Sequence, residues 1–146
     1  MNGCATTRSL RVPAELGSLR RVRAALEDGL SAEGWGGEAA WRVHVGLSEA
    51  LTNAIEHGSR PGANVAVGIA IDPERAVLRV ADRGRPGRRA PTSRPMPPPT
   101  TSERGRGLLL MGSLAERCVA RRSRGGTLVE MEFARAEPGA AAGVMP

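Results

Sequence analysis

The chain has 146 residues, enough for one domain with a single core, and is 40% apolar yet only 2% aromatic, with no Tyr, one Phe and two Trp. Its 21 basic residues are all Arg, which excludes chemistry that needs a lysine: the phosphate-reaching Lys of a P-loop, the strand Lys of a eukaryotic-type kinase, and any Schiff base. The net charge of +6 is local, because residues 83–106 hold seven Arg against Glu103 while the 14 Arg and 14 acids elsewhere cancel.

A broad basic face for duplex nucleic acid would not concentrate in this way, and stacking aromatics for single strands are missing. Direct nucleic-acid binding is not expected. The local charge reads either as an anion site or as a solvated flexible loop. No apolar run approaches a membrane span, and the N-terminus lacks a signal-peptide core. Cys4 and Cys118 form no CxxC pair and suggest no disulfide framework. A soluble, cytoplasmic protein follows as the expectation.

Residues 8–12 alternate weakly and begin a strand. Pro13-Ala14-Glu15 then opens a helix, with Leu16, Leu19, Val22, Leu26 and Leu30 as its apolar stripe and Arg20, Arg21 and Arg23 on its polar face. After the Gly34–Gly37 break, Glu38 to His57 reads as a long helix stopped by Gly58. Trp41, Val45, Leu47, Leu51, Ala54 and Ile55 supply its apolar contacts. Val65, Val67, Ile69 and Ile71 alternate, Asp72-Pro73-Glu74 turns, and Ala76 to Ala81 returns, which predicts an antiparallel hairpin ending at Asp82.

The Pro- and Arg-rich stretch 83–106 cannot bury a core and reads as a mobile loop. Gly107 to Arg117 is predicted to be a helix. A last hairpin turns at Gly125-Gly126, with Thr127, Val129, Met131 and Phe133 facing inward. Residues from Ala134 on form a small-residue tail, read as disordered over 135–146. Few strands are joined by helical crossovers, so the expected fold is a two-layer α/β sandwich: a mixed, mostly antiparallel sheet with helices on one face.

Within that frame, Glu49 and Asn53 lie four residues apart on one helical face. A carboxylate can take a proton from a hydroxyl, and an amide oxygen is a hard ligand suited to Mg²⁺. Downstream come two glycine-marked loops, Asp82-Arg83-Gly84 and Gly105-Arg106-Gly107-Leu108. This order of polar helix pair, acidic-glycine turn and Gly-x-Gly before a helix points to a nucleotide site.

The run Glu49-x-x-x-Asn53-Ala-x-x-His57-Gly58, then Asp82-x-Gly84, Gly105-x-Gly107-Leu108 and Gly126-Thr127, resembles the gyrase/chaperone/histidine-kinase ATPase superfamily. The short chain and the run Arg106 to Met111 resemble its anti-sigma-factor serine/threonine kinase branch, over residues 8–134. The resemblance implies a histidine-kinase-like ATPase domain whose segment 83–106 is the ATP lid. It implies that Asn53 offers its oxygen to Mg²⁺, that Glu49 is the general base, and that Asp82 accepts from the adenine amino group. Gly84 would admit the purine, while Gly105, Gly107 and Leu108 at a helix start would meet the phosphates. Arg104 and Arg106 would lie near the phosphates, and Thr127 near the adenine.

His57 would close the helix structurally. The chain departs from many relatives at Arg85-Pro86-Gly87-Arg88, where they place a further glycine and then an apolar residue. That difference bears on nucleotide affinity and lid closure, not on the fold. The implied function is an ATP- and Mg²⁺-dependent kinase that phosphorylates a small anti-sigma-factor antagonist, binds a sigma factor, and forms a homodimer. Arg20, Arg21 and Arg23 are its candidate partner contacts. The alternative is a catalytically weak or inactive ATP-binding module that acts by protein–protein contact.

Overall fold

The one phenylalanine fixes how the two layers meet. In the computed structural model, which describes residues 5–60, 62–84, 93–95, 114–123 and 125–136, Phe133 is fully buried beneath Gly46. A Cβ at position 46 would lie 2.6 Å from its ring. A mid-helix glycine costs about 1 kcal/mol relative to alanine, and here it lets helix and sheet approach closely enough to enclose the ring.

The elements are β1 (Thr6–Pro13), α1 (Ser18–Ala32), α2 (Gly37–Asn53), a π-helical turn (Ala54–Gly58), β2 (Asn64–Ile71), β3 (Arg75–Ala81), β4 (Ser93–Pro95), β5 (Arg117–Ser123) and β6 (Gly126–Ala134). The strands form one sheet in the order β1-β2-β3-β6-β5-β4. All five ladders are antiparallel. Among the described residues the parallel contribution is a single bridge, Ser59 to Gly84. Both helices cover one face, α1 over β1 and β2, α2 over β3 and β6. The expected two-layer α/β sandwich is the fold observed.

The alternation read from β2 is met in full: Val65, Val67, Ile69 and Ile71 are buried, opposite Ala76, Leu78 and Val80 of β3. Val22, Leu26 and Leu30 of α1 and Val43, Leu47 and Leu51 of α2 close the core from above. Each such side chain contributes about 1.5–3 kcal/mol by leaving water. The opposite sheet face carries cross-strand ion pairs, Arg79 with Glu130 at 2.5 Å and Arg75 with Glu132 at 3.2 Å.

Several boundaries differ from the sequence reading. Pro13 ends edge strand β1 opposite Asn64, an edge position being one a residue without an N–H tolerates. The helix starts later, at Ser18, whose hydroxyl donates to the Pro13 carbonyl at 2.7 Å. Leu16 therefore sits in the connecting turn and is 57% exposed, outside the apolar stripe. Trp41, expected among the α2 contacts, is 55% exposed. The buried indole is Trp35, which donates to the Asp72 carbonyl at 2.7 Å and ties the α1–α2 link to the β2–β3 turn.

Regular α-helix stops at Asn53, and the chain reaches Gly58 through the π turn. Arg117 opens β5 rather than closing a helix. Residues 107–113 of that expected helix lie outside the described residues, as do most of 83–106 and all of 137–146.

Arg42 is an anchor that periodicity hid. It is 7% exposed and its Nη2 donates to the Ala134 carbonyl at 3.2 Å, fastening α2 to the end of β6. On the outer side of the helices, Glu27 of α1 pairs with His44 of α2 at 2.7 Å. The hydrogen bond from His44 holds the Glu27 carboxyl below its ordinary value. A depressed carboxylate stabilises the fold above its unfolded pKa, and that contribution is lost as pH falls through the lowered folded value. Because Glu27 is largely exposed and His44 partly so, His44→Ala is expected to lower stability by less than about 1 kcal/mol near neutral pH. Denaturant melts of the variant at neutral and acid pH check this, the difference from wild type vanishing in acid.

Candidate nucleotide site

Three backbone segments meet at one end of the sheet: Gly58-Ser59 where the π turn ends, Asp82 to Gly84 after β3, and Gly126-Thr127 at the start of β6. Asp82 joins them. Its Oδ1 accepts from the Gly84 N–H at 2.8 Å and the Thr127 N–H at 3.1 Å. Its own N–H donates to the Thr127 carbonyl at 3.0 Å. Charge-assisted bonds of this kind are among the stronger ones in proteins.

The glycines here are dictated by space as well as by dihedral angle. A Cβ on Gly58 would lie 2.0 Å from Asp82 Oδ2, so the helix end packs directly on the carboxylate. Gly58 has no positive φ. The sequence marks Gly58 as a helix stop, and in the structure close packing on Asp82 is what requires a glycine there. Gly84 does have a positive φ, of 75°, and its Cα side faces Gly126. Gly126, expected in the hairpin turn, is the first residue of β6 and pairs with Ser123. A Cβ there would lie 1.9 Å from the Asp82 carbonyl oxygen.

The helix contributes the next layer. Glu49 and Asn53 occupy successive turns at the C-terminal end of α2, both partly buried. The amide nitrogen of Asn53 is buried and, among the described residues, has no hydrogen-bond partner. So is the hydroxyl of Ser59, a residue 2% exposed. Buried polar atoms left unpaired cost about 1–3 kcal/mol each, and such groups mark places where a ligand or water completes the structure. The π turn that follows Asn53 is itself a distortion found frequently at functional sites. Sequence reasoning missed Ser59, which lies outside every motif it used. Its one signal was position, immediately after the His57-Gly58 end of the helix.

Not every expected residue joins this cluster. Arg104, Gly105, Arg106, Gly107 and Leu108 lie outside the described residues. Arg23 bonds Ser48 Oγ through Nε at 3.0 Å and Nη2 at 2.9 Å, so it clasps α1 to α2, while Arg20 and Arg21 are exposed. A cavity of about 200 Å³ beside Asp82 is lined by Arg11, Ala66 and Ala81 on the outward sheet face. That is the wrong face for Asn53 and small for a nucleotide.

The arrangement has a counterpart among known proteins. Residues 12–133 match the family model described as the histidine kinase-like ATPase domain. The chain belongs to that family. As a histidine kinase-like ATPase domain it is built to bind ATP. Among solved structures it is similar to the crystal structure of the RsbU and RsbW domains of Rv1364c from Mycobacterium tuberculosis. The TM-score is 0.67 at 20% identity, over 88% of this chain and 32% of that one, a likeness of fold. The chain thus spans about a third of that protein's length. No protein of curated function matches it. Among the described residues, no helix of this domain is long and apolar enough to cross a membrane.

Proposed function

We propose that this domain binds ATP with Mg²⁺ and transfers the γ-phosphoryl group to a serine or threonine of a small anti-sigma-factor antagonist, alternating with capture of a sigma factor. The observation that supports it most is the buried amide nitrogen of Asn53, unpartnered among the described residues, one helical turn from Glu49 on the helix whose end, Gly58, packs on Asp82. An amide carries a donor and an acceptor, and rotation by a half-turn exchanges them. The residues fit a magnesium ion held mainly by nucleotide and water. Among the described residues there is no group of three His, Cys, Asp or Glu that could cage a metal unaided, and Mg²⁺ in such sites takes few protein ligands.

In this reading Asn53 would offer its side-chain oxygen to the ion, which would supply screening of the phosphate charge when bound. Asp82 accepts from the adenine amino group while its Oδ1 keeps the loop in place. Thr127 supports the base, and Gly84 lets it approach the backbone. Glu49 takes the proton of the acceptor hydroxyl as that oxygen bonds to the γ-phosphorus and the β–γ bridge breaks, with ADP leaving. Arg104, Arg106 and the segment Gly105-Arg106-Gly107-Leu108 would receive the phosphates. A homodimer in the cytoplasm, with no direct nucleic-acid contact, completes the proposal.

The test is incubation of the protein with labelled ATP and a candidate antagonist. Label on a serine or threonine supports the kinase. Nucleotide binding without transfer supports instead a regulatory module acting by contact. Asn53→Ala is expected to weaken Mg²⁺-dependent ATP binding by about tenfold or more, the effect of losing one ligand to a hard cation. Calorimetric titration with and without Mg²⁺ checks it, and an unchanged difference between the two conditions removes Asn53 from that role.

A further inference from the structure

Strand β5 brings one charged residue to the site side of the sheet. Cross-strand partners share a face, and the β5–β6 register pairs Arg122 with Thr127, Ala120 with Val129, and Cys118 with Met131. Met131 and Phe133 are fully buried beneath α2, so this is the inward face. Its residues on the two strands are Cys118, Ala120, Arg122, Thr127, Val129, Met131 and Phe133. Arg122 is the one charged member.

Its neighbours show what that position meets. Cys118 packs against the core, and burial pushes its thiol up to about 11, so that stretch is apolar and inert. Ala120 is small. Arg122 is exposed and stands directly across from Thr127, whose N–H is held by Asp82. Cβ atoms of such a pair lie about 4.5–5.5 Å apart, well within the reach of an arginine. The described residues of the adjoining strand β4 pair with Val119 to Arg121. The α2 helix packs mainly on β3 and β6. Among the described residues, the inward side of β5 beyond Cys118 presents small Ala120 and then the planar cation of Arg122.

From this placement we propose that Arg122 forms the β5 wall of the base pocket, laying its guanidinium against the face of the purine held by Asp82. A guanidinium is flat, delocalised and weakly hydrated, and it stacks on aromatic rings. In a chain without Tyr and with a single, buried Phe, it takes the part an aromatic side chain would otherwise play. The inference rests on the nucleotide reading above and deepens it.

The experiment is ATP titration of the wild type, Arg122→Ala, Arg122→Lys and Arg121→Ala at low and high salt. The last variant removes a neighbouring exposed arginine whose cross-strand partner is Leu128, on the outward face. Arg122→Ala is expected to weaken binding about 3- to 30-fold, by the same factor at both salt levels, as befits stacking. Lysine should restore only part of the loss, and Arg121→Ala should change little. Unaltered affinity in Arg122→Ala overturns the inference while leaving ATP binding intact. So does a loss that shrinks at high salt, which would mark a phosphate contact. Failure of the wild type to bind ATP at all strikes the nucleotide reading itself.

Discussion

Gly126→Ala is expected to lower thermal stability by on the order of 10 °C and to remove ATP binding together with it. The new Cβ would lie 1.9 Å from the Asp82 carbonyl oxygen and 2.7 Å from the carbonyl carbon of Arg83. Those are backbone atoms, so no rotamer change relieves the overlap. Position 126 also has φ of 129°, which an alanine rarely adopts. Overpacking and a forced dihedral each cost about 1–3 kcal/mol. In a domain of this size the sum corresponds to roughly 10 °C.

The functional loss follows from what must move. If β6 shifts away from the Asp82 loop, the bonds between Asp82 and Thr127 break, and both residues leave the positions assigned to base recognition. Calorimetric melting and ATP titration of the same preparation check both effects. A variant that melts like wild type would show that the close approach at Gly126 is not a constraint on the fold.

Glu49→Ala carries the second large effect, and it is of a different kind. Phosphotransfer to the antagonist is expected to fall by about 10²- to 10⁴-fold, the usual contribution of a positioned general base. ATP affinity should change by no more than about threefold, because in the proposed reaction the carboxylate would act on the acceptor hydroxyl rather than on the nucleotide. Stability should also be nearly unchanged, since Glu49 is only partly buried and is not among the core residues. Single-turnover transfer with saturating ATP separates these quantities. Transfer at the wild-type rate would discard Glu49 as the base and move attention to another acceptor near Asn53.

Periodicity made most of this fold readable. The alternation in β2 and β3 and the three- and four-residue steps from Val22 to Leu30 each describe a face that must be buried, and each is buried. The reading went astray where one residue type serves two ends. Proline opens helices and also tolerates strand edges, and at position 13 it does the latter. A tryptophan is apolar enough to suggest a core contact, yet Trp41 lies outside and Trp35 inside.

The residues that meet around Asp82 were legible as motifs, but the reasons they meet were not. Asp82 could be singled out beside Gly84, while its grip on Thr127, 45 residues along the chain, depends on a register that no local pattern encodes. Gly58 was read as a stop signal because sequence reports residue type and not what stands 2 Å away. Arg42 and Ser59 escaped because buried polar side chains follow no period. Burial of such groups is decided by tertiary partners, and those appear only when the chain has folded.

The carboxylate of Asp82 closes the end of the sheet with one oxygen, and the proposed function gives the same side chain to base recognition. Under that proposal architecture and recognition share one side chain. A descendant of this domain that abandoned nucleotide would keep the acid for structural reasons, long after its ligand was gone. An aspartate found there in a relative is on that account poor proof of living enzymology, and the neighbouring helix positions make the better diagnostic.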